Sequence, residues 1–227
     1  MLFNIICIVV IIYLISIIKK EKKSRRIYIN RFYDKPKTLT FYYGTMKAGK
    51  TLHAIVKAYN YKKQNKGVIV LKPGIDTRFN KSYITSRCGL TKKVDMLIQK
   101  DTDISILDIE NKSYIIVDES QFLTKSQVLQ LRSLTAKINV ICYGLLKNSD
   151  NEQFEGSTWL MNYADNCKEF KITCMYCSNK ASTNAKFCVK DGNKIYIAHD
   201  NASEPDIGGD EKYEQLCYHC YAERIKN

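Results

Sequence analysis

Proline and glycine are scarce. Three prolines and ten glycines among 227 residues leave no tract of the composition that keeps a chain from packing, so disorder is not the expected state. No segment repeats itself, which sets aside repeat architectures. Negative charge is also short: 23 Asp and Glu face 36 Lys and Arg, for a net charge of +13. An excess of that size invites a nucleic-acid partner. Its placement argues otherwise, because residues 19–37 hold nine Lys or Arg against two acids. About +6 is left for the other ~190 residues, which suits a protein that handles phosphates, and no nucleic-acid partner is expected. Apolar residues at 45% and charged residues at 26% are enough for one globular domain with a small appendage.

Charge is missing altogether from residues 2–18, where only Asn4 and Ser16 interrupt an apolar run. As a helix this run spans about 26 Å, slightly under the roughly 30 Å of a bilayer's hydrocarbon core. It has no basic n-region and no small-residue cleavage site, so an uncleaved anchor is expected over a removable signal peptide. Six basic residues follow within residues 19–26 and should hold that side in the cytosol. The expected organisation is a transmembrane anchor over 1–18, a basic linker over 19–37, a cytoplasmic core over 38–170, and a smaller unit over 171–227.

The globular pattern starts at residue 38. Residues 38–43 are β-branched and aromatic, as in a short buried strand, and residues 50–63 carry apolar side chains at helical spacing. Further strands are expected over 67–71, 82–86, 114–117 and 138–143, with helices over 94–100 and 123–134. Strands alternating with helices argue an α/β core around a parallel sheet.

Between the first strand and the first helix lies GTMKAGKT, residues 44–51, a complete G-x-x-x-x-G-K-[ST] phosphate loop. Gly44 and Gly49 let the backbone turn its N–H groups of Thr45, Met46, Lys47 and Ala48 toward phosphate oxygens. Lys50 reaches the β- and γ-phosphates, the Thr51 hydroxyl ligates Mg²⁺, and the helix presents its positive end to the same anion. The strand YIIV (114–117) ends in Asp118-Glu119. Asp118 stands where such proteins organise Mg²⁺, directly or through water, and Glu119 can act as a base toward an attacking hydroxyl or water. These residues do not tell an ATPase from a kinase.

Nine cysteines are present, and four form two CxxC pairs: Cys174 with Cys177, and Cys217 with Cys220. Four thiolates make a closed tetrahedral shell suited to structural Zn²⁺. The 39 residues between the pairs would then be a loop pinned at its base and able to fold over a ligand. His219 is a spare ligand inside the second pair.

The phosphate loop with Met at its third position, KPGIDTR (72–78), DESQF (118–122), VICYGL (140–145), FEG (154–156), the CxxC pairs and IGGDEKY (207–213) occur in an order that resembles the type II thymidine kinases. The resemblance implies a RecA-like P-loop core and a homotetramer. It further implies transfer of the γ-phosphate of ATP to the 5′-hydroxyl of thymidine. It casts Glu119 as general base, Asp118 and Thr51 as Mg²⁺ organisers, and Lys50 as the γ-phosphate clamp. Asp76 and Arg78 become a pair beside the phosphates, with Gln121 in the nucleotide-binding set. Met46 and Phe122 become walls of the thymine pocket, and Ile207, Gly208 and Tyr213 close over sugar and base from the zinc-pinned lasso. Residues 1–37 lie outside the resemblance, and the lasso looks longer than usual. Inside it, the resemblance places Thr183 or Asn184 near the base. The rival is a membrane-tethered P-loop ATPase, which would need neither Asp76 and Arg78 at that spacing nor a loop joining two CxxC pairs.

Overall fold

The computed structural model of the chain describes residues 13–23, 36–76, 80–198 and 212–225. The chain divides into two compact units, residues 1–36 and 37–227. In the first, residues 13–23 are helical and expose Tyr13, Leu14, Ile15, Ile17 and Ile18. Among the described residues no helix is long and apolar enough to cross a membrane. Most of the expected anchor, residues 1–12, and most of the basic linker, residues 24–35, lie outside the described residues.

The second unit is built on six parallel strands in the order β5-β2-β6-β7-β1-β8. They are β1 (Leu39–Gly44), β2 (Val68–Pro73), β5 (Met96–Ile98), β6 (Tyr114–Val117), β7 (Asn139–Gly144) and β8 (Asn166–Phe170). Their side chains alternate between two faces, as the two-residue period of a strand requires. Leu39, Phe41, Leu71, Val117, Val140 and Cys142 bury against α2 (Lys125–Leu134) and α3 (Glu155–Tyr163) through Val128, Leu131 and Leu160. Val70, Ile116, Ile141 and Tyr143 bury on the opposite face against Ala54, Ile55 and Ala58 of α1 (Lys50–Lys63). Ile84 joins them from a small hairpin of β3 (Tyr83–Thr85) and β4 (Thr91–Lys93). The expected α/β P-loop core is therefore present, with helices on both faces of a parallel sheet.

One expected element is overturned. Residues 94–100 do not form a helix; Met96–Ile98 is the edge strand β5, parallel to β2. The reason is tertiary. Asp95 donates its N–H to the carbonyl of Val70 at 2.8 Å, and its carboxylate accepts from the amide of Val70 at 2.7 Å. This side-chain clamp on the backbone draws the segment along the sheet, and a local helical spacing cannot compete with it. The helix expected from 123 begins at Lys125, because Thr124 and Gln127 form a capping box behind a 3₁₀ turn at Ser120–Phe122.

β7 lies between β1 and β6 and pairs with both. The loops leaving β1 and β6 therefore flank one strand end, the position where parallel α/β sheets bind ligands. Beyond β8 a three-stranded antiparallel sheet, β10-β9-β11, is formed by β9 (Thr183–Lys190), β10 (Asn193–Ile197) and β11 (Tyr213–Leu216). It is followed by α4 (Tyr218–Arg224).

Candidate active site

The phosphate loop leaves β1 at Gly44 and enters α1 at Lys50. Its two glycines serve different needs. Gly49 holds φ +78°, a left-handed conformation that favours glycine. Gly44 is required by proximity: a Cβ there would lie 2.7 Å from the Phe170 carbonyl oxygen on β8. Lys50 Nζ donates to the carbonyls of Thr45 at 2.7 Å and Gly44 at 3.2 Å, so the loop already curls around the ammonium group. The start of α1 has no side-chain cap and no acid in its first turn. Its backbone donors and dipole therefore suit an anion, and the buried Thr45 hydroxyl has no hydrogen-bond partner among the described residues.

Behind the loop, the rings of Tyr42, Tyr143 and Phe170 from three strands pack with His53 of α1. His53 lies tilted against Tyr42 at 5.0 Å and meets Phe170 edge-on at 5.2 Å, while its Nδ1 shares a 3.0 Å hydrogen bond with the Tyr143 hydroxyl. Burial, aided by Lys57 and Lys168, lowers the His53 pKa and favours the neutral ring.

The second half of the site ends β6. Asp118 is buried, with the Thr51 hydroxyl and the Lys50 ammonium near enough to favour its charged form. Its pKa is pushed up to about 7, first by burial and then by the neighbouring Glu119 carboxylate, against the pull of Thr51 and Lys50. A divalent cation would relieve that burden. The two groups expected to organise Mg²⁺ thus lie near each other, and a hydroxyl near a carboxylate is the oxygen donor set that Mg²⁺ takes. Glu119 itself is left-handed, with φ 54°. Gln121 donates to its carboxylate at 2.7 Å and accepts from the Leu145 amide at 3.1 Å, which braces the acid against the end of β7. A non-glycine residue held in this conformation at a site's centre is local strain retained by its surroundings.

That brace depends on residues whose roles the motifs did not reveal. A Cβ at Gly144 would come within 2.9 Å of Gln121 Oε1, and one at Gly156 within 2.6 to 2.8 Å of the carbonyls of Ser120, Leu123 and Gln121. Both glycines let the 120–123 turn sit against β7 and α3. The Ser120 hydroxyl ties the turn to the Tyr143 carbonyl at 2.9 Å. Phe122 is half-buried, edge-on to Phe154 at 5.7 Å.

Asp76 is buried in an ion pair with Lys72, 3.1 Å away, and both side chains are almost wholly shielded from solvent. Lys72 was not expected to matter. The signal available for it was its place at the end of an apolar strand, where a solvated lysine would be unusual. Arg78, Ile207 and Gly208 lie outside the described residues.

Two contacts join the phosphate loop to the antiparallel sheet. The Met46 amide donates to Asn184 Oδ1 at 2.8 Å, and Lys47 Nζ donates to the Tyr213 carbonyl at 3.3 Å. Tyr213 is itself buried. At the far end of β11 the four thiols of Cys174, Cys177, Cys217 and Cys220 lie within 4.8 Å of one another. The Sγ separations of 3.6 Å (Cys177 to Cys217) and 3.7 Å (Cys177 to Cys220) match the roughly 3.8 Å edge of a tetrahedron with 2.3 Å zinc–sulfur bonds. The four residues therefore fit Zn²⁺. His219 points into solvent and pairs with Glu223 at 3.2 Å, so the spare ligand is not drawn into the cluster.

The family profile described as thymidine kinase matches residues 37–221. The chain belongs to the thymidine kinase family. Among its relatives, the thymidine kinase of Lactiplantibacillus plantarum is 37% identical over 187 residues, covering 81% of this chain and 94% of the relative. That of Listeria monocytogenes is 38% identical over 189 residues, covering 81% and 96%. That of Pasteurella multocida is 37% identical over 194 residues, covering 82% and 97%. The family match begins at residue 37, where the second compact unit begins, and leaves residues 1–36 outside it.

Proposed function

We propose that this chain is an ATP-dependent thymidine kinase that moves the γ-phosphoryl group of ATP to the 5′-hydroxyl of thymidine. The observation that carries the proposal is the convergence of Lys50 and Thr51 from the phosphate loop on buried Asp118 at the end of the acidic strand, next to a braced Glu119. Family membership supplies the acceptor.

The chemistry asks the protein mainly for position and charge. Lys50 and the N–H groups at the start of α1 hold the phosphates and offset the charge that grows on their oxygens. Mg²⁺, when bound by Thr51 and Asp118, neutralises phosphate charge further. Glu119 accepts the proton of the 5′-hydroxyl as that oxygen attacks in line, and Gln121 fixes where the carboxylate stands. Asp76, backed by Lys72, and Arg78 are assigned to hold the transferring group in register. Met46 and Phe122 are assigned to the thymine pocket, with Ile207, Gly208 and Tyr213 contributing from the lasso. Closing that loop over the acceptor would exclude water, which separates a kinase from an ATPase.

Three finer readings accompany this one. Zn²⁺ at the four cysteines is structural, and metal analysis of the purified protein should find about one zinc per chain. A homotetramer is supported by the exposed stripe of Leu52, Val56 and Tyr59 along α1, an apolar helix face that another copy would cover. A membrane partner is supported by the exposed apolar residues of helix 13–23 and the lysines that end it. The decisive test incubates the protein with ATP, Mg²⁺ and thymidine and follows thymidine monophosphate. Hydrolysis of ATP indifferent to thymidine, with no monophosphate formed, would overturn the kinase reading in favour of an ATPase.

A further inference from the structure

β9 and β11 form a ribbon with one end on the cysteine cluster and one side chain on the phosphate loop. Asn184 and Gln215 face each other across the pair, as do Lys186 and Tyr213. These residues share a face, because directly opposed side chains in an antiparallel pair point the same way. The next pair, Ala185 and Glu214, takes the other face. There Ala185 and Leu216 pack with Cys174, Cys217, Cys220 and Tyr221 in a small core of their own. Glu214, buried, accepts from the Tyr176 hydroxyl at 2.9 Å and is also bonded by Tyr196 and Lys194. The ribbon is thus held rigidly on its cysteine side, and its opposite side presents a buried carboxamide to the loop.

We propose that Asn184 is a positioning residue for phosphoryl transfer: its side-chain oxygen, fixed by the ribbon, holds the Met46 amide and so sets the conformation of the phosphate loop. A buried N–H has one donor to give, and that of Met46 is committed to Asn184 and not to phosphate. The contact spans 138 positions in sequence, so it links the end of the chain to the start of the fold. Lys47, the next residue, is left-handed at φ 63° and reaches the Tyr213 carbonyl on the second strand of the same ribbon. Two successive loop residues are therefore held from two strands. Removing the Asn184 oxygen leaves the Met46 amide buried without an acceptor, and the loop relaxes to find one. The inference rests on the kinase reading for its consequence in turnover, and on the loop alone for its structural part.

The test compares Asn184→Ala, Asn184→Asp and Val189→Ala, an exposed β9 position used as a control. Zinc content and melting temperature are measured first, then amide exchange of the 44–51 segment in the nucleotide-free protein, then KM for ATP and kcat with thymidine. Asn184→Ala should keep its zinc, exchange faster at the loop, and raise KM for ATP about tenfold or more. Asn184→Asp retains an acceptor oxygen of the same reach and should keep the wild-type exchange of the loop, whatever its added charge does to KM. Val189→Ala should match wild type throughout. Unchanged loop exchange and KM in a folded Asn184→Ala protein would overturn the inference, as would an Asn184→Asp loop that exchanges as fast as the alanine variant's. If the alanine variant does not fold, the aspartate exchange result decides alone. Failure of the kinase reading is separately visible as wild-type protein that turns over no thymidine.

Discussion

Glu119 and Asp118 are adjacent carboxylates in opposite circumstances. Glu119 is half-buried and braced by Gln121, while Asp118 is buried against Thr51. Replacing Glu119 with Gln keeps shape and hydrogen bonding but removes the proton acceptor. Glu119→Gln should bind ATP as wild type and lose about 10²-fold or more in kcat, the scale of a lost general base. Loss of ATP binding in that variant would make the residue structural. Asp118 predicts a pH dependence. Its carboxyl is held near 7 in the fold against an ordinary 3.8, so the folded protein binds this proton more tightly than the unfolded chain. The stability it contributes is fully present below about pH 4 and falls as pH rises toward 7. Mg²⁺ needs the ionised form, so the rise in melting temperature caused by Mg·ATP should grow over the same window. Melting curves from pH 5 to 8, with and without Mg·ATP, test this; a rise larger at pH 5 than at pH 8 would contradict the assignment.

At the scale of elements, the 120–123 turn decides where Glu119 stands. It is clasped between the end of β7 and the start of α3, with Gly144 on one side and Gly156 on the other. Three backbone carbonyls surround the space a Gly156 side chain would need, and backbone cannot swing away as a long side chain can. Gly156→Ala should therefore destabilise the protein by about 1–3 kcal/mol, in the range of overpacked cores. It should also lower kcat, because the turn that shifts carries Glu119. Denaturant unfolding alongside steady-state kinetics separates the two effects, and a variant as stable and active as wild type would show that the clasp is slack. Val94 to Lys100 teaches a related lesson. Its apolar spacing fits a helix, yet Asp95 grips the backbone of β2, and the segment pairs as a strand.

For the whole molecule, the family match and the second compact unit begin at the same residue, 37. All of the phosphate-site contacts described above lie within residues 37–227. A 37–227 fragment should thus keep the kcat of the full chain. Full-length protein should sediment with membranes through its apolar first segment, while the fragment stays in the supernatant. Equal partitioning of the two forms would remove the anchor from consideration.

The phosphate loop, the Asp118-Glu119 pair and the CxxC pairs were legible in the sequence because each is a short-range pattern whose chemistry depends on spacing along the chain. The alternation that buries Leu39, Phe41, Ile115 and Val117 on one face was legible for the same reason. The partner of each long-range contact was not. Nothing local to Asn184 says that it meets Met46, nothing at Lys72 names Asp76 as its partner, and nothing at Gly156 shows three carbonyls within 2.8 Å. Sequence by itself determined which residues have the chemistry for ATP, Mg²⁺ and Zn²⁺. Tertiary structure alone decided how they are held, because position comes from hydrogen bonds and close packing between segments far apart in the chain.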